Sequence, residues 1–183
     1  IVTRRSAGVD AWGLEAVMLA AGTNVEWLRD DLGMISSAEE SDSVAATCDD
    51  TGDAWFVPAP FGLGAPHWDY GARSVLIGLT RGTERAQVVR AVLEGVAHRG
   101  TDLIEAAERD AGVHIERLKV DGGMAANTTF LQALADSAQR PIEVAPVREA
   151  TTLGGAFCAG LAVGLWAGDD DLASTWRPAR VIE

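Results

Sequence analysis

Two adjacent glycines, Gly122 and Gly123, lie where the sequence predicts that a strand gives way to a helix. Residues 115–120 alternate apolar and polar side chains, as a half-buried strand does, whereas residues 128–136 carry apolar side chains at helical spacing. A glycine at such a turn lets the backbone approach a ligand without a Cβ in between. Free N–H groups of the following helix would then point at that ligand. Because short motifs are weak alone, a tight turn without a ligand also fits residues 121–127.

Two further glycine-rich stretches are candidates for ligand contact. The loop at residues 58–71 combines prolines, glycines and aromatic side chains, and loops of this length in a compact domain usually have a function or pack on a partner. Within the small-residue stretch 150–162, Gly154 and Gly155 fit ligand approach and close helix packing about equally well. For Gly160 in the same stretch, close packing is favoured.

No set of side chains suited to nucleophilic or metal chemistry is evident. The three histidines are scattered, and there is no Gly-x-Ser-x-Gly elbow and no Walker A run. The sequence therefore predicts no catalytic residue and no metal ligand in this chain. The two cysteines, Cys48 and Cys158, have no disulfide-framework or metal-ligand spacing. We interpret them as free thiols, which indicates a reducing compartment such as the cytoplasm.

Length and charge narrow the class of protein. With 183 residues, 48% of them hydrophobic, the chain can bury one good core as a single domain. Its formal net charge is −12, and Lys119 is its only lysine, so a nucleic-acid surface is not expected. No apolar run reaches membrane-spanning length, and we expect no signal peptide. Because the chain begins at Ile1, we expect it to be part of a longer protein.

Predicted strands alternate with predicted helices, which indicates an α/β layered fold. We expect a frayed segment at residues 1–10. The predicted strands are residues 12–18, 55–58, 74–79, 115–120 and 141–144. The predicted helices are residues 22–32, 38–48, 83–111, 128–136 and 150–162, with a short last helix after residue 169.

Taken in order, these stretches resemble the C-terminal domain of the FGGY carbohydrate kinases. The resemblance runs from residue 12 to residue 178, and residues 62–68, which read Gly-Leu-Gly-Ala-Pro-His-Trp, are most similar to the glycerol kinases of that family. Any one stretch is weak evidence for the family, but so many stretches in the family's order are specific evidence for it. The other matching stretches are residues 20–22, 27–30, 56–59, 72–73, 78–82, 90–94, 120–127, 152–156 and 160–164.

The resemblance implies a ribonuclease-H-like, actin-like ATPase domain with a mixed sheet flanked by helices. It also implies that residues 1–183 form the nucleotide-binding C-terminal domain of a longer enzyme, whose absent N-terminal domain holds the polyol and the catalytic aspartate. The parent would use ATP and Mg²⁺ to convert glycerol to glycerol 3-phosphate, releasing ADP. Pro60, Phe61 and His67 depart from the usual pattern of the glycerol kinases.

Two alternatives stay open at this point. The parent can instead be an FGGY kinase for another polyol or sugar, which its N-terminal polyol ligands would decide. It can also be a non-catalytic, actin-like nucleotide-binding module. A homo-oligomer is compatible with either reading.

Five positions match the family's nucleotide contacts. Gly123 and Asn127, with Gly122 beside them, match the adenine end of the ATP site. Gly22 matches a glycine near the phosphates and ribose. Glu26 matches a contact position that is usually glutamine, and a carboxylate cannot donate a hydrogen bond as that amide does.

Overall fold

The computed structural model describes residues 2–6 and 9–183. Its helices are α1 (Gly22–Asp30), α2 (Glu40–Ala45), α3 (Arg85–Ala111), α4 (Thr128–Ala138), α5 (Ala150–Ala162) and α6 (Asp169–Ser174). Its strands are β1 (Val2–Ser6), β2 (Val9–Trp12), β3 (Trp55–Val57), β4 (Val75–Ile77), β5 (Leu118–Val120), β6 (Ile142–Val144) and β7 (Arg180–Ile182). A 3-10 turn, Gly123–Ala126, connects β5 to α4.

The described strands form three small sheets. In the three-stranded sheet, β6 lies in the centre, with β5 parallel to it on one side and β7 antiparallel to it on the other. β3 and β4 form an antiparallel pair, and β1 and β2 form an antiparallel hairpin. The three-stranded sheet is therefore mixed, as the family resemblance implied, and α4 packs against it.

The longest helix, α3, is the element on which α1, α2, α4 and β3 pack. It begins with a capping box between Glu84 and Gln87, and it ends at Gly112, whose φ of 65° is left-handed. The apolar stripe of α3 joins two buried clusters. Val92 belongs to the cluster formed with α1, α2 and β3, and Ala97 belongs to the cluster formed with α4, β5 and β6. Burial of each large apolar side chain in such a cluster contributes about 1.5–3 kcal/mol.

The sequence predictions for residues 1–18 were wrong, and the last strand was not predicted. Instead of a frayed segment at residues 1–10, β1 and β2 form the N-terminal hairpin, although residues 1, 7 and 8 lie outside the described part. Residues 13–18 are not a strand, and the Val17 carbonyl accepts a hydrogen bond from the Ala65 N–H at 3.1 Å instead. β7 was not predicted, because a three-residue strand is defined only by its pairing with β6.

The close packing predicted at Gly160 is confirmed. A Cβ at this position would lie 2.0 Å from the Trp166 ring, which also makes an edge contact with Phe157 at a centroid distance of 5.3 Å. At Gly154 and Gly155 an added Cβ would meet nothing within 4 Å among the described residues, so packing does not explain these two glycines. None of the described helices is both long and apolar enough to cross a membrane.

A buried carboxylate links the C-terminal segment to the mixed sheet. The neighbours of Glu143 in β6 pack on α4, so Glu143 points to the opposite face. Its carboxylate accepts hydrogen bonds from Arg117 Nη1 and Trp176 Nε1, both at 2.8 Å. The Arg117 guanidinium and then the Trp176 indole hold the pKa of Glu143 below its usual value, which outweighs the opposing effect of desolvation. Lys119 lies over the Trp176 ring at 4.5 Å.

We expect Glu143→Gln to lower the midpoint of thermal unfolding of the full-length protein at pH 7, because an amide places an N–H against one of the two donors. Because the folded-state pKa is lowered, the carboxylate stabilises the fold above its ordinary pKa of about 4.3. That contribution is lost as pH falls through the lowered folded value, so the difference from wild type should shrink in acid.

Thermal unfolding followed by circular dichroism between pH 7 and pH 3 measures this difference. Glu105→Gln, at an exposed carboxylate on α3, is the matched control. Equal midpoints for the two variants at pH 7, or a difference that stays constant on acidification, would contradict the assigned role of Glu143.

Candidate functional site

A cleft of about 830 Å³ opens between α1, α2 and the turn that follows β5. Four of the five predicted site residues line it, namely Gly22, Glu26, Gly123 and Asn127. These residues come from two parts of the chain that only the tertiary fold brings together. Gly122 does not line the cleft, although it lies beside Gly123 in the same turn.

The N-terminus of α1 forms one end of the cleft. Gly22 is the first residue of the helix, and the preceding Ala21 makes no side-chain cap. The buried Asn24 side chain donates to the carbonyls of Ala20 and Ala21, both at 3.1 Å. It therefore fixes the backbone that precedes α1 and does not cap the helix. A Cβ at Gly22 would meet nothing within 4 Å. No side chain caps the first turn of α1 at Gly22, which suits an anion at that point, although the Asn24 N–H already donates to the Ala21 carbonyl at 3.1 Å.

The two glycines after β5 have different physical roles. Gly122 has φ 84° and ψ −171°, a backbone conformation that is essentially restricted to glycine. Gly123 follows in the 3-10 turn, and a Cβ added there would meet nothing within 4 Å. Gly122 thus sets the direction of the turn, whereas Gly123 leaves open space on the cleft wall.

Asn127 is the N-cap of α4 and also lines the cleft. Its Oδ1 accepts from the Phe130 N–H at 2.8 Å, and its Nδ2 donates to Ser41 Oγ at 3.0 Å. A primary amide has two N–H groups and two acceptor lone pairs, so one N–H and one lone pair remain for a ligand. Sequence reasoning missed Ser41, because 86 residues separate it from Asn127.

A carboxylate of α2 occupies the N-terminus of α4. Asp42 accepts from the Thr128 N–H at 3.1 Å, the Thr129 N–H at 2.8 Å and Thr129 Oγ1 at 2.7 Å. Burial would raise the pKa of Asp42, but these hydrogen bonds outweigh it and lower the pKa. The sequence predicted free N–H groups at this helix end, and that expectation was wrong, because Asn127 and Asp42 already satisfy them. The N-terminus of α4 is thus capped by side chains, whereas that of α1 has no side-chain cap.

The charged side chains along the cleft are of both signs. Arg29 forms a bidentate pair with Asp30 at 2.6 and 2.7 Å, and Arg148 lies 3.9 Å from Glu39. Glu26 is exposed on α1 and lines the cleft on the same side as Arg29. Among the described residues, no group of three or more His, Cys, Asp or Glu side chains is arranged to hold a metal ion.

The glycines of the loop at residues 62–69 serve packing. A Cβ on Gly64 would lie 2.3 Å from the Val17 carbonyl oxygen, so only glycine fits there. Arg99, a buried side chain of α3, donates to the Ala65 carbonyl and so fixes the loop. Trp68 is 54% exposed, so the loop also presents an aromatic surface. This loop does not line the cleft.

The fold and the cleft define an α/β domain of the actin-like ATPase class, to which its structural neighbours also belong. Residues 3–163 match the C-terminal domain of the FGGY family of carbohydrate kinases, and the chain belongs to that family. The curated relatives include the glycerol kinase of Dechloromonas aromatica, 46% identical over 96% of this chain and 35% of its own length. Glycerol kinase 2 of Thermotoga maritima is 44% identical over 94% of this chain and 36% of its own length.

Two solved structures extend the comparison. Plasmodium falciparum glycerol kinase with ADP superposes with a TM-score of 0.80 and 35% identity, covering 88% of this chain and 32% of that chain. A xyloylose kinase from Brucella ovis has a TM-score of 0.80 and 28% identity, covering 92% of this chain and 35% of that chain. The chain thus spans about a third of the length of these relatives.

Alanine should change the stability of the protein at only one of the two glycines of the turn. We expect Gly122→Ala to destabilise the full-length protein by about 1–3 kcal/mol, because its backbone conformation is strained for any L residue. Gly123→Ala should stay within about 0.5 kcal/mol of wild type, because the new methyl group enters open space. Urea unfolding measures both values. Equal destabilisation by the two substitutions would contradict the division of roles.

Proposed function

We propose that the parent protein transfers the γ-phosphoryl group of ATP to glycerol, giving glycerol 3-phosphate and ADP, and that residues 1–183 supply its adenine-side nucleotide-binding domain. The observation that carries the proposal is the convergence of Gly22, Glu26, Gly123 and Asn127 on one cleft. The similarity to proteins named glycerol kinase, at 44–46% identity, supports the choice of glycerol. The Plasmodium glycerol kinase structure was solved with ADP, which supports the choice of nucleotide.

The direction of the nucleotide follows from the two helix ends. Phosphates suit the uncapped N-terminus of α1 at Gly22, where a helix dipole and free N–H groups favour an anion. They do not suit the N-terminus of α4, because the Asp42 carboxylate already lies there. The adenosine end then lies along Gly123 and Asn127, where the open wall admits a flat ring.

The contribution of this chain to the reaction is binding and orientation. Phosphoryl transfer depends chiefly on positioning of the reactants and on stabilisation of charge, and Mg²⁺ bound to the phosphates supplies part of that charge. Gly22 and Gly123 allow close approach of the nucleotide, and Asn127 has one N–H free to orient it. We propose that the polyol ligands, the catalytic aspartate and the Mg²⁺ ligands belong to the part of the parent outside this chain.

Two further parts of the proposal concern the substrate and the compartment. The second candidate substrate is another polyol or sugar, because the xyloylose kinase from Brucella ovis superposes with the same TM-score of 0.80. Kinetics of the parent on glycerol and on xylulose would separate the two. We place the parent in the cytoplasm, which the free thiols of Cys48 and Cys158 support.

Gly123→Asp in the full-length protein is expected to abolish ADP binding at millimolar ADP, because a carboxylate would fill the adenosine end of the cleft. The fold should survive, since a Cβ at this position meets nothing within 4 Å. Isothermal titration calorimetry gives the affinity, thermal unfolding checks the fold, and Gly123→Ala is the control for loss of glycine alone. Wild-type ADP affinity in Gly123→Asp would mean that Gly123 is only a turn residue.

The purified 183-residue chain is expected to show no ATP-dependent phosphorylation of glycerol, because no catalytic residue is assigned within it. A coupled assay for ADP release, with the full-length protein as the positive control, makes the measurement. Glycerol-dependent ADP release by the pure chain would contradict the proposed division of labour between the domains.

A further inference from the structure

We propose that Ser41 and Asp42 of α2 are positioning residues for the bound nucleotide, acting through Asn127 and the first turn of α4. The inference rests on the proposed nucleotide site. It adds two residues that none of the predicted contacts included, and it assigns α2 a role in the affinity of the cleft.

Ser41 fixes the orientation of the Asn127 amide. Its side chain is 1% exposed, and its hydroxyl donates to the Ala38 carbonyl at 2.6 Å. The lone pairs of the same hydroxyl therefore face Asn127 and accept from its Nδ2 at 3.0 Å. With Phe130 N–H holding the other end of the amide at 2.8 Å, the amide plane is fixed. The remaining side-chain N–H of Asn127 therefore points in one fixed direction.

Asp42 fixes the position of the helix that carries Asn127. Its three hydrogen bonds to Thr128 and Thr129 join α2 to the first turn of α4. The same carboxylate places negative charge at the N-terminus of α4, so a phosphate is repelled from that end of the cleft. Asp42 therefore both holds the adenosine end in place and excludes the reverse orientation of the nucleotide.

These contacts bear on affinity because a preorganised site loses less entropy when it binds its ligand. Without Ser41, Asn127 would keep its cap to Phe130, but its Nδ2 would have to find a new acceptor. Without the Asp42 charge, the Thr128 and Thr129 N–H groups would attract an anion. Each change should weaken nucleotide binding even where the fold persists.

The first test is Ser41→Ala in the full-length protein. We expect the dissociation constant for ADP and the KM for ATP to rise about tenfold, with kcat and the KM for glycerol within about twofold of wild type. The matched control is Ser43→Ala, because Ser43 lies on the same helix, donates to the Glu40 carbonyl at 3.1 Å and does not line the cleft. Control and wild type should bind ADP equally.

A double-mutant cycle separates positioning from stability. If Ser41 acts through Asn127, the variant with both Ser41→Ala and Asn127→Ala should bind ADP no more weakly than Asn127→Ala alone. A purely structural role would give additive losses in unfolding midpoint and no change in ADP affinity.

Asp42→Asn is the second variant, and it keeps the test decisive if Ser41→Ala fails to fold. It retains one acceptor oxygen but removes the charge. We expect weaker ADP binding, and we expect inorganic phosphate at about 10 mM to compete with ADP in the variant but not in wild type, because the amide leaves one N–H at the N-terminus of α4 without its acceptor and no longer repels an anion. Asp136→Asn, at an exposed carboxylate on α4, is its control.

The outcomes distinguish this inference from the proposed function. If the wild-type protein does not bind ADP, the proposed nucleotide site is wrong and the inference is wrong with it. If wild type binds ADP and the folded Ser41→Ala and Asp42→Asn variants bind it equally well, the nucleotide site stands and the positioning role is overturned. Weaker binding in both, with unchanged controls, supports the positioning role.

Discussion

The carboxylate of Asp42 at the N-terminus of α4 is the interaction on which the geometry of the cleft depends. It joins α2 to the helix that follows the glycine turn, and Ser41 joins the same two helices through Asn127. Both helices pack on α3, whose apolar stripe belongs to both buried clusters. The hydrophobic core thus brings the helices together, and a few directional hydrogen bonds then fix the position of the cleft wall.

The same interaction makes the two ends of the cleft different. The N-terminus of α4 is capped by protein side chains, whereas that of α1, at Gly22, has no side-chain cap. A dipolar, phosphate-bearing ligand meets a favourable field at one end only. An acidic chain, with a net charge of −12, can therefore offer an anion site, because local backbone dipoles rather than net charge decide it.

Much of the fold was predictable because its signals are local. The capping box at Glu84 and the glycine at 112 mark the ends of α3, and short runs of apolar residues mark the strands at 55–57 and 75–77. The prediction of a strand at residues 12–18 was wrong, because an apolar run becomes a strand only where a partner strand pairs with it. β7 was missed for the same reason, since three residues carry too little pattern without their pairing to β6.

By itself, the sequence determined the α/β class, the ends of the central helix, the glycine turn and the resemblance to the FGGY kinases, because these depend on neighbouring residues or on motif order. Only the tertiary structure decided that Gly22 and Gly123 share one cleft, and that side chains cap the N-terminus of α4 but not that of α1. The contact of Asp42 with Thr129 spans 87 residues. No local pattern carries such a contact, because hydrogen bonds at that separation exist only after the core has brought the two helices together.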